Sequence, residues 1–386
     1  MVKRSYIAIG LIIVLLIIAG TLSYANLLKP TTITTTVTKT IVETKKYTIT
    51  TVRTTVTAYT VTTTLTSTRT LTQTEMITTT ATITKKYPLT IIDALGRSVT
   101  IKHIPSRVVS LAPSITEMLF ALGLGKYVIG VDTFSNYPPE VVKLKKEGKI
   151  ADIGNFWNPD IEKIIKLKPD LVVADAGAHA KILEKFEELK LPVIYVHGGA
   201  ATNAEDITKD IMLLGLIFNT LDSAQRLVSE IRSQINYVVT KLNNANASKV
   251  KVLILLGPPS MGLWSTGSGT FINYLIEVAG GANILSKYHS WIQVGYEEIV
   301  KGNPDVIIIT VMGTKETAQK IIEELEKTPL ASTNAVKNHK VYVLIGEADD
   351  IITRPSPRII EALNMLAKIL HPEIFGEIAR DDVIQG

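Results

Sequence analysis

One short pattern occurs twice in this chain and constrains its architecture more than any other feature. Glu162-Lys-Ile-Ile-Lys-Leu-Lys-Pro169-Asp170-Leu-Val-Val returns about 135 residues later as Glu297-Glu-Ile-Val-Lys-Gly-Asn-Pro304-Asp305-Val-Ile-Ile. Each copy reads as a short helix, a Pro-Asp turn and a buried strand, because apolar residues recur at helical spacing before the proline and run on continuously after the aspartate. In both copies a glutamate opens the helix, where the helix dipole favours a carboxylate. A chain that builds the same α/β unit twice is expected to fold as two similar lobes with a cleft between them, marked by Glu162 on one lobe and Glu297 on the other. The alternative at this point is chance recurrence, since Pro-Asp before an apolar run is common in α/β folds.

The 386 residues suffice for two or three domains, and the charge is unevenly spread over them. Residues 1–86 carry ten Lys or Arg against Glu43 and Glu75, while residues 87–386 carry 31 against 34 Asp or Glu. The formal net charge of +5 therefore belongs to the N-terminal segment, and the folded part lacks the basic surface that nucleic-acid binding requires. There is no cysteine, which excludes disulfides, thiolate metal sites, cysteine nucleophiles and a lipidated N-terminal cysteine.

Lys3 and Arg4 precede a run from Tyr6 to about Leu28 with no polar side chain between Ile7 and Ala19. Such a run crosses ~30 Å of hydrocarbon as a helix, and the leading positive pair places the N-terminus inside. Residues 1–30 are read as a cytoplasmic tip and single-pass membrane anchor. A cleaved signal peptide, with Ser23 and Ala25 before the cut, is the alternative. From Thr31 to Thr84 the chain has 28 threonines in 54 residues, with no Gly or Asn turn to break it into hairpins. Residues 31–86 are read as an extended, O-glycosylated extracellular stalk.

The folded region divides into a first lobe (87–203), an interlobe helix and loop (204–248), a second lobe (249–350) and a C-terminal helix and tail (351–386). In the first lobe, Leu89 to Val99 reads as a hairpin. Val108 to Ala112, Tyr127 to Val131, Leu171 to Ala174 and Val193 to Val196 read as a parallel sheet of about four strands. Pro113 to Ala121 reads as a helix capped by Ser114 or Thr116. Glu205 to Leu242 carries a heptad-like pattern with one weak spot at Phe218-Asn219-Thr220, and is read as one long helix bridging the lobes. Asn246 in the loop after it is an N-glycosylation acceptor. Val250 to Leu256, Val306 to Val311 and Val341 to Leu344 are the strands of the second lobe.

Chemistry-bearing motifs are sparse. The Gly-rich stretch Gly257 to Thr270 follows a strand but lacks the Walker lysine and a G-x-G-x-x-G fingerprint. It is either a tight structural loop or a ligand loop, and Trp264 within it favours ligand contact. His103, His179, His197, His289, His339 and His371 show no metal-ligand spacing, and no Gly-x-Ser-x-Gly occurs. No catalytic or metal residue is assigned. Aromatic residues do recur in the loops around strands on both halves: Phe134, Tyr137, Phe156, Trp157, Trp264, Tyr288 and Trp291. Their distribution predicts an apolar cleft that sandwiches a flat or bulky ligand. Arg354, in Arg354-Pro-Ser-Pro-Arg358, is placed to offer a guanidinium to a carboxylate or phosphate, with packing of the final helix as the equal alternative.

From about Thr90 to His371 the sequence resembles the periplasmic-binding proteins of iron-chelate and cobalamin ABC importers. The features that carry the resemblance, in order, are Arg107-Val-Val-Ser-Leu-Ala-Pro-Ser-Ile-Thr-Glu117, Gly130-Val-Asp132 with Asn136-Tyr-Pro-Pro139, Ile153-Gly154 leading to Glu162, Pro169-Asp170, Gly267-Ser-Gly-Thr-Phe271, Ala279 to Ile284, Pro304-Asp305 and Arg354 to Arg358. The resemblance implies the class III fold, α/β, with two Rossmann-like lobes joined by a single long backbone helix. It implies a receptor rather than an enzyme, without intrinsic cofactor, whose ligand is cobalamin or an iron chelate. Ferric-siderophore or haem binding is the nearest alternative; a surface adhesin or sensor, or a cleft enzyme, is the more distant one. The family's ligand contacts map to Phe134, Phe156, Trp264, Trp291 and Arg354, and the aromatic pattern adds Trp157 to the expected ligand contacts. Glu162 and Glu297 map to the glutamates that dock on an ABC permease dimer served by cytoplasmic ATPases. The N-terminal anchor and stalk depart from bacterial relatives and resemble archaeal binding proteins, with the folded domain outside the cell membrane.

Overall fold

In the computed structural model of the chain, residues 87–386 are described throughout, preceded by the strands Thr32–Lys39, Thr55–Val56, Tyr59–Thr64 and Glu75–Ile83. These four strands form one sheet, in which Thr32–Lys39 and Tyr59–Thr64 each pair antiparallel with Glu75–Ile83. Alternating Thr with Val or Ile has strand propensity, and here that propensity is met by pairing, where an unpaired stalk is the sequence expectation. The anchor expected over 1–30 lies outside the described residues. Among the described residues no helix is long and apolar enough to cross a membrane.

The chain divides into two compact units. One comprises Met1–Ile91, Ser98–Ile104 and Gly215–Ser223; the other comprises Ile92–Arg97, Pro105–Leu214 and Ala224–Gly386 and contains both lobes.

The first lobe is built on β1 (Val108–Ser110), β2 (Val128–Val131), β3 (Ala151–Asp152), β4 (Leu171–Asp175) and β5 (Val193–Val196), in the order β5-β4-β1-β2-β3, all parallel. Strands β1, β4 and β5 are buried along their whole length, which is why they read as unbroken apolar runs. The fifth strand, β3, is the addition to the expected four; two residues are too few for a periodic signal. Helix α1 (Pro113–Ala121) starts on Pro113, whose fixed φ suits the first helical turn. Neither Ser114 nor Thr116 caps it; both lie inside the helix.

The second lobe repeats the plan. Its strands are β6 (Val250–Leu256), β7 (Gly281–Asn283), β8 (Val306–Val311), β9 (Val341–Ile345) and the antiparallel β10 (Val383–Gln385), in the order β7-β6-β8-β9-β10. Read from the far edge, β9-β8-β6-β7 matches β5-β4-β1-β2 strand for strand; only the edge strands β3 and β10 differ.

The repeated motif sits at the same place in each plan. Helix α2 (Ile161–Leu167) leads into β4, and a second helix (Tyr296–Gly302) leads into β8. Glu162 and Glu297 are each the second residue of their helix, and both helices end on a left-handed residue, Lys168 at φ 49° and Asn303 at φ 45°. The aspartate after the proline then ties down the neighbouring strand. Asp170 accepts from the backbone N–H of Ser106 and Arg107 at 2.8 and 2.9 Å, and Asp305 accepts from that of Lys251 at 3.3 Å. The recurrence is therefore structural, and chance similarity is not needed to explain it.

The expected single bridging helix is two helices, α3 (Ala204–Phe218) and α4 (Leu221–Asn244). The break falls on the weak spot. Asn219 adopts φ 67°, the Thr220 N–H donates to Gly215 O at 2.8 Å and the Asn219 N–H to Leu216 O at 3.4 Å. That is the Schellman pattern of helix termination, and asparagine tolerates the left-handed position it requires.

Candidate functional site

In open parallel sheets, ligands bind beyond the carboxyl ends of the strands, where the strand order changes direction. The change falls between β4 and β1 in the first lobe and between β6 and β8 in the second. The aromatic residues singled out from the sequence as ligand contacts lie beyond the carboxyl ends of strands on one side of each change: Phe134 after β2, Phe156 and Trp157 after β3, Trp264 after β6 and Trp291 after β7.

After β2, the buried carboxylate of Asp132 accepts from the Phe134 N–H at 2.9 Å and from Ser135 Oγ at 2.5 Å, while Ser135 also bonds Thr116 at 2.8 Å. This pins the short loop that presents Phe134. Burial pushes the Asp132 carboxyl up to about 6. After β3, Gly154–Asn155 and Asn158–Pro159 form a two-rung hairpin whose tip is Phe156-Trp157. The rings of Phe134 and Phe156 meet Trp157 edge-on, at 5.7 and 5.2 Å between centroids. Trp157 is nonetheless 64% exposed. His179 supports this cluster from behind. Its Nδ1 accepts from the Asp175 N–H at 3.1 Å, and Nε2 donates to the Phe156 carbonyl at 2.6 Å. Both ring nitrogens are thus occupied in the neutral form, consistent with burial lowering its pKa. Among the described residues no group of His, Asp and Glu is arranged to hold a metal.

In the second lobe a two-stranded ribbon pairs Trp264 with Gln293 and Thr266 with Trp291. Cross-strand partners share a face, so both indoles stand on the same side of the ribbon; they are 46% and 37% exposed. The end of the Gly-rich stretch, Gly267-Ser268, is a packing device. The Gly267 N–H donates to Ser290 O at 2.9 Å and the Ser268 N–H to Tyr288 O at 2.8 Å, and a Cβ on Gly267 would collide with the Tyr288 carbonyl. Those amides are spent within the chain and do not form an anion cradle.

Two seams join the lobes. At one, Trp291 Nε1 donates to Gly199 O at 3.4 Å, and the Phe271 N–H donates to Ala201 O at 3.0 Å. At the other, Asn136 Nδ2 donates to Asp350 Oδ2 at 2.8 Å, and Arg354 donates to Glu117 Oε1 at 2.9 Å, Asn136 Oδ1 at 2.7 Å, Phe134 O at 3.2 Å and Asp350 Oδ1 at 2.5 Å. Arg358 completes this second seam, donating to both oxygens of Glu117 at 3.0 and 2.9 Å and lying 3.9 Å over the Tyr137 ring. Arg354 is 8% exposed. The guanidinium that sequence reasoning aims at a ligand has both terminal nitrogens bonded inside the protein, because Glu117 and Asp350 form a buried acidic partner for it. Glu117 was legible in the sequence only as an acid without a partner; its two arginines lie more than 230 residues away. An open depression of about 250 Å³ beside this seam, lined by Glu117, Tyr137, Leu227 and Arg358 among others, includes none of the aromatic cluster.

Behind the second seam, Asp349 is pushed up to about 7 by burial and, secondarily, by Asp350. Its folded pKa exceeds the ordinary 3.8, so the folded state holds the extra proton between these values. Its contribution to stability is present at low pH and is lost as pH rises through about 7. Asp349→Asn is therefore expected to flatten the fall in stability between about pH 5 and about pH 8, measured by urea denaturation at both; an unchanged slope would refute the assignment.

Glu162 and Glu297 are exposed, and neither forms an ion pair with the described residues. Their neighbours do: Glu298 pairs with Lys287 at 2.5 Å and Asp160 with Lys163 at 3.7 Å.

Residues 108–348 match the family model for periplasmic binding proteins. An uncharacterised ABC transporter substrate-binding lipoprotein of Bacillus subtilis is 34% identical over 295 residues, covering 75% of this chain and 88% of the relative. A vitamin B12-binding protein of Pectobacterium atrosepticum is 28% identical over 273 residues, covering 69% and 89%. Among solved structures, a possible iron-binding, periplasmic solute-binding protein of Staphylococcus epidermidis superposes with a TM-score of 0.56 at 28% identity, covering 69% of this chain and 98% of that one. With the duplicated α/β lobes, the interlobe seams and a family match across most of the folded region all in agreement, the chain belongs to the periplasmic binding protein family, in its class III fold.

Proposed function

We propose that this chain is the extracytoplasmic substrate-binding component of an ABC importer, a receptor rather than an enzyme, which takes a cobalamin or related metal chelate between its lobes. The observation that supports the reading is the presence of exposed or half-buried aromatic residues beyond the carboxyl ends of both sheets: Phe134, Phe156 and Trp157 on one lobe, Trp264 and Trp291 on the other. A bulky apolar ligand between them removes aromatic area from water on both of its sides. Arg354 contributes by fixing the Phe134 loop through its carbonyl. Glu162 and Glu297 dock on the permease, whose ATPases lie in the cytoplasm. Residues 1–30 anchor the chain in the cell membrane, and 31–86 space the binding domain from it. Haem or a ferric siderophore is the second reading, favoured by the likeness to the possible iron-binding protein of Staphylococcus epidermidis.

The chain supplies its own probe, since Trp157, Trp264 and Trp291 are its three tryptophans. Titrating the full chain with cyanocobalamin, ferric haem and a ferric siderophore is expected to quench most of the tryptophan emission saturably with one of the three. Trp264→Ala is expected to weaken that binding about tenfold or more. An unchanged dissociation constant removes Trp264 from the site, and no saturable quenching by any of the three overturns the reading.

A further inference from the structure

Five methionines lie in residues 87–386. Met118 and Met365 are buried and Met212 is half-buried, whereas Met261 is 75% and Met312 69% exposed. The two exposed ones are neighbours by topology. Met312 directly follows β8, and Met261 ends the turn Pro259–Met261 just beyond β6. Strands β6 and β8 pair through Leu256 and Thr310, and the Gly257 N–H donates to Thr310 O at 2.9 Å. The loop that carries Met261 turns on Gly257 at φ 109° and Gly262 at φ 98°, conformations that favour glycine. Both methionines therefore stand at the direction change of the second sheet.

The seams show which way this edge faces. On the β6 side the ribbon crosses to the first lobe through Trp291 and Gly199. On the β9 side the helix Gly346–Thr353 crosses through Asp350 and Asn136. The ends of β6 and β8 lie between these crossings in the sheet order, which puts Met261 and Met312 at the same sheet edge as the ribbon that carries Trp264 and Trp291. The segments 257–263 and 312–314 contain no Lys, Arg or His, and the next cation, Lys315, pairs with Asp381 at 3.7 Å. This lip offers thioethers and an indole but no positive charge. Thioethers are flexible and polarisable and pack well against conjugated rings. An oxygen-rich anionic chelate would need cations in their place.

Resting on the proposed reading, we infer that Met261 and Met312 are specificity-determining contacts that grip the conjugated macrocycle of the ligand and select it over anionic siderophores. Both side chains point into solvent, so substituting them leaves the core intact. In the full chain, Met261→Ser with Met312→Ser is expected to raise the dissociation constant for the bound macrocycle, cyanocobalamin or ferric haem, by about tenfold or more. Met261→Leu with Met312→Leu is expected to stay within about threefold of the parent, because apolar area is retained. With methyl-labelled methionine, assigned through the leucine variants, both methyl signals are expected to shift or broaden when the macrocycle binds, while those of the buried Met118 and Met365 stay in place. If the parent binds a macrocycle with unchanged methyl signals and the serine pair binds it equally well, the inference fails and the receptor reading stands. If a ferric tris-catecholate binds more tightly than either macrocycle, the inference also fails. If the parent binds none of these probes, both fail.

Discussion

Glu117→Ala is expected to cost about 3–5 kcal/mol of folding stability, towards the lower end because Asp350 and Glu347 still partner the arginines. The carboxylate is 3% exposed and accepts from Arg354, from Ser356 at 2.5 Å and twice from Arg358. Both guanidinium groups are less than a tenth exposed, so removing the anion leaves buried positive charge. Breaking one side of a buried ion cluster costs more than the cluster contributes, since attraction between the partners largely offsets their desolvation. The triple variant Glu117→Leu, Arg354→Met, Arg358→Met is accordingly expected to recover most of the loss. Urea denaturation of the three proteins checks both statements. A loss below about 1 kcal/mol for the single variant would mean that Glu117 is not the clamp.

Reversing the charge at both Glu162 and Glu297 is expected to reduce ligand uptake to background while leaving the dissociation constant unchanged. Each glutamate is exposed, unpaired among the described residues and second in a helix of the same length and ending. Lysine there opposes the helix dipole at a cost of about 0.3–1 kcal/mol each, too little to unfold the lobes. The effect should therefore appear in docking, where charges on a rim set approach and register. Uptake into vesicles carrying the permease, beside tryptophan quenching on the same protein, separates the two quantities. Normal uptake by the double variant would remove both residues from the docking surface.

The parts of the fold that were legible before the structure are those carried by local chemistry. Pro169-Asp170 and Pro304-Asp305 identify two equivalent units because the turn, the left-handed residue before it and the buried strand after it are contiguous. The helix break at Asn219 is visible as a lapse in periodicity, although one helix was expected across it. Strands β3, β7 and β10 were missed because two or three residues carry no period and take their partners from elsewhere in the chain. The Gly-rich stretch is open to two readings in the sequence, and its end is tied down only by Tyr288 and Ser290, about twenty residues further on.

The same division holds for the site. Aromatic loops on both halves follow from composition and position alone, so Phe134, Phe156, Trp157, Trp264 and Trp291 are readable from the sequence as candidate ligand contacts. The direction in which a charged side chain spends its hydrogen bonds is not local. Arg354 reads as a ligand contact until Glu117, on the other lobe, is brought to 2.9 Å from it. Met261 and Met312 lie some fifty residues apart and become one surface only when β6 and β8 pair. The sequence by itself determined the duplicated α/β units, their acidic marks and the aromatic character of the loops on both lobes, because periodicity, turn chemistry and residue type act over a few neighbours. Only the tertiary structure decided which charges close the lobes and which side chains remain open to a ligand, because burial and pairing depend on groups far apart along the chain.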